Sequence, residues 1–317
     1  MIDGYKSARS AAATSSIDGS AWQDHYRHSR DGLRLHYRDY WSGADRPAVL
    51  CIPGLSRNCR DFDQLAARLN GNEGWRIIAP SLRGRGFSDR ASDPSTYDVP
   101  TYVDELLLLL AETGVRSVVL IGTSLGARLA MLLAPRCPSL IAGAVLNDLG
   151  PELPPRATAA VGNALGGRQA CWPDRATAAV ALSEIHSASY PRFGATDWLK
   201  LVDRLCREDD DGGVSLDYDP AIGEAYRRAD PVPVETMWAG FDVLAHRPLL
   251  SIRGALSTML TDDIQSRMAE RASTPMAIRT IADVGHAPTL DEPESVTAIE
   301  ALLKRAVECA HAEGGAQ

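Results

Sequence analysis

Residues 117–134, SVVLIGTSLGARLAMLLA, restrict the fold of this chain more than any other stretch. They read as strand, sharp turn and helix. Residues 117–121 are a short apolar, β-branched run of the kind a buried parallel strand shows. Gly122-Thr123-Ser124-Leu125-Gly126 follows and matches G-x-S-x-G. Residues 127–134 then continue as an apolar helix. A serine held on so tight a strand-to-helix turn brings its neighbours together, and glycine at 122 and 126 removes the side chains that would collide. The turn points Ser124 Oγ outward and makes it a candidate nucleophile. It also sets the Leu125 N–H at a helix N-terminus, where developing negative charge is stabilised.

The rest of the chain supplies the context such a turn needs. Residues 47–53 (PAVLCIP), 75–81 (WRIIAPS), 141–146 (IAGAVL), 249–253 (LLSIR) and 277–281 (AIRTI) read as strands. Residues 61–69 and 100–113 and a segment opened by Pro293 read as helices, with Asp61 and Thr101 as expected caps and Gly114 as a stop. Alternating strands and helices predict a mainly parallel sheet covered on both faces. Residues 22–40 form an expected edge hairpin around Arg30-Asp31-Gly32. Between 151 and 240 the character changes to alanine-rich helical stretches with scattered Trp172, Tyr190, Phe193, Trp198 and Trp238. No strand is read there, and the aromatics are expected mainly to pack. The predicted organisation is a mobile tail at 1–21, an α/β core at 22–150 and 241–310, a helical cap at 151–240 and a tail at 311–317.

Bulk properties narrow the function. The 317 residues are 45% hydrophobic and 23% charged, ordinary for a globular protein with a sizeable core. A net charge of −8 argues against nucleic-acid or anionic-membrane partners. The longest purely apolar run, 106–111, is far too short to span a bilayer. The six cysteines, at 51, 59, 137, 171, 206 and 309, show no C-x-x-C pair and no zinc pattern. Reduced thiols and a cytoplasmic location follow as expectations. The first twenty residues have no apolar signal core. The glycine-arginine loop at 82–89 lacks the G-x-x-x-x-G-K-[ST] pattern and reads as a structural loop near a site rim.

A serine nucleophile needs a base, and seven histidines compete. His25, His28 and His36 precede the core strands, His186 lies in the insertion, His246 precedes a strand and His311 is near the C-terminus. His286 alone sits on a loop just beyond a buried strand, at the sheet end where sites of this architecture gather. Gly54, just past the 47–53 strand, permits a tight turn that aims backbone N–H groups upward, which makes the Leu55 N–H a second candidate donor beside that of Leu125.

PGLSRN at 53–58, RGRGFSD at 83–89, GTSLGA at 122–127, LNDLGPELP at 146–154 and VGHAPTLDEPE at 284–294 occur in one order. Together they resemble the α/β-hydrolase superfamily, most of all its bacterial, cap-bearing branch of serine esterases and hydrolases. The resemblance covers about residues 28–308. It implies that Ser124 attacks a carbonyl, that His286 takes its proton, and that the Leu55 and Leu125 N–H groups form the oxyanion hole. It implies no metal or organic cofactor.

One departure stands out. In the most similar relatives the acid follows the penultimate strand in a segment resembling R-G-A-L-S-D, and here that segment reads Arg253-Gly254-Ala255-Leu256-Ser257-Thr258. Threonine carries no charge to stabilise a histidinium. Three readings are open. Asp148 serves as the acid, from the strand after the nucleophile strand, where some relatives place theirs; Asp262 or Asp263 folds back; or the enzyme is weakened. Asp148 is the reading taken here. The expected activity is hydrolysis of small-molecule carboxylic esters through an acyl-enzyme. The alternatives are lactone, amide or C–C cleavage by the same nucleophile, or a ligand-binding protein on a hydrolase scaffold. The oligomeric state, a homodimer included, is left open.

Overall fold

The computed structural model describes residues 14–17, 20–154 and 170–314. Its centre is a nine-stranded sheet of order β1-β2-β3-β5-β4-β6-β7-β11-β12. The strands are β1 (Thr14–Ile17), β2 (Ser20–His28), β3 (Arg34–Tyr40), β4 (Ala48–Ile52), β5 (Ile77–Pro80), β6 (Val118–Thr123), β7 (Ile141–Asn147), β11 (Leu249–Gly254) and β12 (Ala277–Ile281). Contacts from β5 through β12 are parallel; the first four strands in this order pair antiparallel. The expected hairpin is present as β2 and β3, yet it is not the sheet edge, because β1 pairs beyond it.

Every residue of β4, β7 and β11 is buried, as strands covered on both faces require. Alternation along them divides the core into two layers. Val49, Cys51, Val119, Ile121 and Val145 face α1 (Asp63–Glu73) and α9 (Pro293–Gly314). Leu50, Ile52, Leu120, Ala144 and Leu146 face α2 (Val99–Glu112), α3 (Leu125–Leu133), α7 (Val234–Ala245) and α8 (Asp262–Arg271).

Register places the site. Ile52 pairs Gly122, Thr123 pairs Asn147, Ile252 pairs Asn147 and Gly254 pairs Ile281. The carboxyl ends of five neighbouring strands therefore finish level, and the residues just past them converge. Two bonds lock that edge: Ser124 N–H donates to Asn147 O at 2.9 Å and Asp148 N–H to Ile252 O at 2.8 Å.

Several local expectations are corrected. The cap of α2 is Asp98, whose carboxylate accepts from the Thr101 N–H at 2.7 Å. Ahead of α1 a 3₁₀ turn, Cys59–Phe62, is capped by Asn58, while the Asp61 carboxylate binds Arg57 instead. Residues 14–17 and 20–21, expected in a tail, are in strands, and 311–314 continue α9; the other tail positions lie outside the described residues. Within the insertion, α4 (Arg175–His186), α5 (Ala195–Leu205) and α6 (Ala221–Arg228) are accompanied by a small antiparallel sheet of β8 (Cys171–Trp172), β10 (Val214–Leu216) and β9 (Cys206–Glu208). Strands of two or three residues are too short for periodicity to reveal. Residues 155–169 of the expected cap lie outside the described residues. Helix α7 straddles the expected boundary at 240, and a Cβ on Gly240 would lie 2.1 Å from Met131 O of α3. Backbone contact that close seats α7 on the nucleophile-bearing helix. As expected, Tyr190, Phe193 and Trp198 pack on one another, with ring centroids 4.5 to 6.4 Å apart. All six cysteines are free.

Candidate active site

Ser124 sits between β6 and α3 with φ +54°, in the left-handed region where a non-glycine residue is strained. The two glycines make that turn possible. A Cβ on Gly122 would lie 2.3 Å from Gly126 O, and one on Gly126 only 1.9 Å from Ile52 O of β4. The helix thus starts hard against the neighbouring strand end.

Beyond β12, the loop at 282–292 carries His286. Its Nε2 lies 2.8 Å from Ser124 Oγ and its Nδ1 lies 2.7 Å from Asp148 Oδ2. An ionised carboxylate only accepts, so Nδ1–H donates to Asp148 and the Nε2 lone pair accepts from the serine hydroxyl. Asp148 is fully buried, with φ +57°. Burial of a carboxylate demands donors, and three are present: His286 Nδ1–H, the Gly254 N–H at 3.0 Å and the Ser257 hydroxyl at 2.6 Å. Sequence reasoning missed Ser257. It lies in the segment where an acid was sought, and its hydroxyl reaches the carboxylate presented by the adjacent strand.

Thr258 is exposed. Asp262 and Asp263 occupy the first turn of α8, where Asp262 pairs with Arg253 and Asp263 with Arg267. Neither reaches His286, so of the carboxylates considered Asp148 alone joins the serine and histidine.

The His286 loop is held from both sides. Asn147 Nδ2 donates to Pro288 O at 2.9 Å and to Thr123 Oγ1 at 3.0 Å. From the insertion, Ser189 O accepts from Gly285 N–H at 2.7 Å, and the Tyr190 hydroxyl donates to Ala287 O at 2.8 Å. Asn147 was also missed, although a polar Asn-Asp pair ending an apolar strand is a signal that could have found it.

Leu55 and Leu125 flank the serine as expected. Leu55 is the second residue of a turn closed by Arg57 N–H donating to Gly54 O at 3.2 Å, and Leu125 is the first residue of α3. Among the described residues neither N–H has a protein acceptor. Leu55, Ser124 and His286 line one cavity of about 220 Å³ with Phe62, Tyr190 and Leu201. Arg57, Asp61 and His186 form its polar wall, where Arg57 binds Asp61 through two bonds of 2.6 and 2.7 Å. Among the described residues no cluster of side chains could hold a metal ion, and no helix is long and apolar enough to cross a membrane.

Burial, and then the positive charge of Arg57, push the His186 pKa down to about 4, so the imidazole facing the cavity is neutral near pH 7. The sign of the consequence follows. A histidine whose folded pKa lies below its unfolded value of about 6.5 binds fewer protons when folded, so stability is lost as pH falls from about 6.5 towards 4. His186→Gln is expected to lose less melting temperature than the parent over that interval, as read by thermal melts at stepped pH. Equal losses would show that His186 titrates alike in both states.

The pattern of the alpha/beta hydrolase family matches residues 49–299, and the chain belongs to that family. It is 31% identical over 273 residues to the 3-hydroxybutyrate-oligomer hydrolase of Cupriavidus necator, covering 83% of this chain and 90% of that protein. It is 28% identical over 233 residues to the 2-(acetamidomethylene)succinate hydrolase of Mesorhizobium japonicum, covering 72% and 77%. A crystal structure of an alpha/beta hydrolase from Novosphingobium aromaticivorans is 44% identical and superposes with a TM-score of 0.84, covering 90% of this chain and 98% of that one. The protein is a hydrolase of the alpha/beta fold.

Proposed function

We propose that the protein hydrolyses carboxylic esters through an acyl-enzyme on Ser124. The observation that carries the reading is the unbroken chain of bonds from Ser124 Oγ through His286 to buried Asp148. His286 takes the hydroxyl proton as Ser124 Oγ bonds to the ester carbonyl carbon, and Asp148 stabilises the imidazolium. The Leu55 and Leu125 N–H groups receive the oxyanion. The tetrahedral species then expels the alcohol, which leaves with the proton from His286. Water, deprotonated by the same imidazole, attacks the acyl-enzyme and releases the acid. A serine at the elbow argues against chemistry that needs a carboxylate nucleophile. Insertion residues ahead of α7 act as a cap over the cavity, through Ser189, Tyr190 and Leu201. The similarity to an oligoester hydrolase supports an ester substrate, and esters of short hydroxy acids belong in the substrate panel for that reason.

The test is hydrolysis of p-nitrophenyl esters of increasing acyl length, before and after treatment with a fluorophosphonate. Sustained turnover that stops as one adduct forms on the Ser124 peptide is the expected result. Labelling without turnover of any ester would instead identify a binding protein with a vestigial site.

A further inference from the structure

The glycine-arginine loop at 82–89 contains a buried cation that the chemistry above does not use. Arg85 is 1% exposed. Its Nε–H donates to Leu55 O at 2.6 Å, one terminal nitrogen donates to Arg83 O at 2.6 Å and the other to the Tyr102 hydroxyl at 3.2 Å. The guanidinium carbon lies 4.9 Å from the centre of the Tyr102 ring. Other buried arginines, such as Arg83 and Arg38, are neutralised by carboxylates. No carboxylate pairs with Arg85 among the described residues. Leaving a buried cation without a counterion is costly, and here the positive charge stands against the carbonyl of the candidate oxyanion residue.

We infer that Arg85 is a positioning residue for the oxyanion hole. Both peptides flanking the Leu55 α-carbon have their carbonyls tied down. Gly54 O, in the same peptide plane as the Leu55 N–H, accepts from Arg57 N–H, and Leu55 O accepts from Arg85. With the two carbonyls fixed on the protein side, the trans peptide geometry fixes the opposite direction of the Leu55 N–H. A donor held in place before the reaction stabilises developing charge without reorganising. The loop is itself anchored to the insertion, because Gly86 N–H donates to Asp217 O at 3.0 Å and Asp219 N–H to Gly84 O at 2.7 Å. A Cβ on Gly84 or Gly86 would lie 2.6 or 2.7 Å from Tyr97 or Ser81, so the loop carrying Arg85 has no room for another conformer there.

This inference rests on the serine-hydrolase reading, and the experiment separates the two. Single-turnover fluorophosphonate labelling of Ser124 and steady-state ester kinetics are measured for the parent, Arg85→Met and Arg85→Lys, with thermal melts to establish folding. Arg85→Met is expected to lower kcat and the labelling rate about 30-fold, less than the 10²–10³ typical of deleting a donor outright. KM should change less than about twofold. Lysine keeps the charge and one donor but cannot span both carbonyls, so Arg85→Lys should fall about 5-fold. If the methionine variant does not fold, the lysine variant decides. Parental kcat and labelling in the folded variants would overturn the role of Arg85 alone. A parent that neither labels nor turns over would overturn the serine-hydrolase reading and the Arg85 role with it.

Discussion

Replacing Ser124 with alanine is expected to lower kcat for ester hydrolysis by about 10⁶-fold, with KM and melting temperature little changed. The side chain loses one oxygen, which bonds His286 and carries no packing load in the core. What remains is substrate binding and the oxyanion donors, and these alone sustain a residual rate about 10³-fold or more above water. Loss of the serine should also make further damage invisible: adding His286→Ala to Ser124→Ala should cost almost nothing more, because the two act as one unit. Stopped assays with a purified, refolding-checked variant decide this. Retention of even a tenth of parental turnover would show that another group attacks the ester.

Asp148→Asn is the second large effect, expected at about 10⁴-fold in kcat. The mechanism of the loss is specific. An amide can donate where a carboxylate only accepts, so the imidazole is driven to the tautomer whose Nε2 carries the proton and no longer accepts from Ser124. The imidazolium formed during attack also loses its counter-charge. Stability should suffer modestly, since the Gly254 N–H and the Ser257 hydroxyl at 3.0 and 2.6 Å can still bond the amide oxygen. Thr258→Asp should not restore the rate, in this background or alone, because residue 258 is exposed and the Nδ1 edge of His286 is already filled. Parental kcat in Asp148→Asn, or its recovery with Asp at 258, would move the acid elsewhere.

The contrast between Ser124 and Ser257 shows what a sequence carries. The elbow is legible because its sterics are local: Gly122, Ser124 and Gly126 meet within one turn, and only glycine tolerates contacts of 2.3 and 1.9 Å. The strands are legible because burial on both faces leaves unbroken apolar runs. His286 is legible from its place after the last strand. Ser257, Asn147 and Arg85 act across the sheet edge on residues 30 to 141 positions away, and no local pattern encodes that reach. The α2 cap was misread for a smaller reason. Asp98 and Thr101 are both competent caps three residues apart, and Pro100 suits the second helical position as well as the position before a start. The short strands β8 to β10 form because the insertion folds back on itself, a tertiary event.

The level strand ends have a consequence for how such a protein changes over time. Strands β7 and β11 are neighbours, and the residues just past both stand beside the same edge of one imidazole. A carboxylate arriving from either strand meets the same nitrogen. An ancestor with acids on both could have shed one without a single inactive generation, and the vacated strand end was free to take up a supporting hydroxyl. On this reading the charge behind the histidine is a property of the place, and the chain position that supplies it is negotiable.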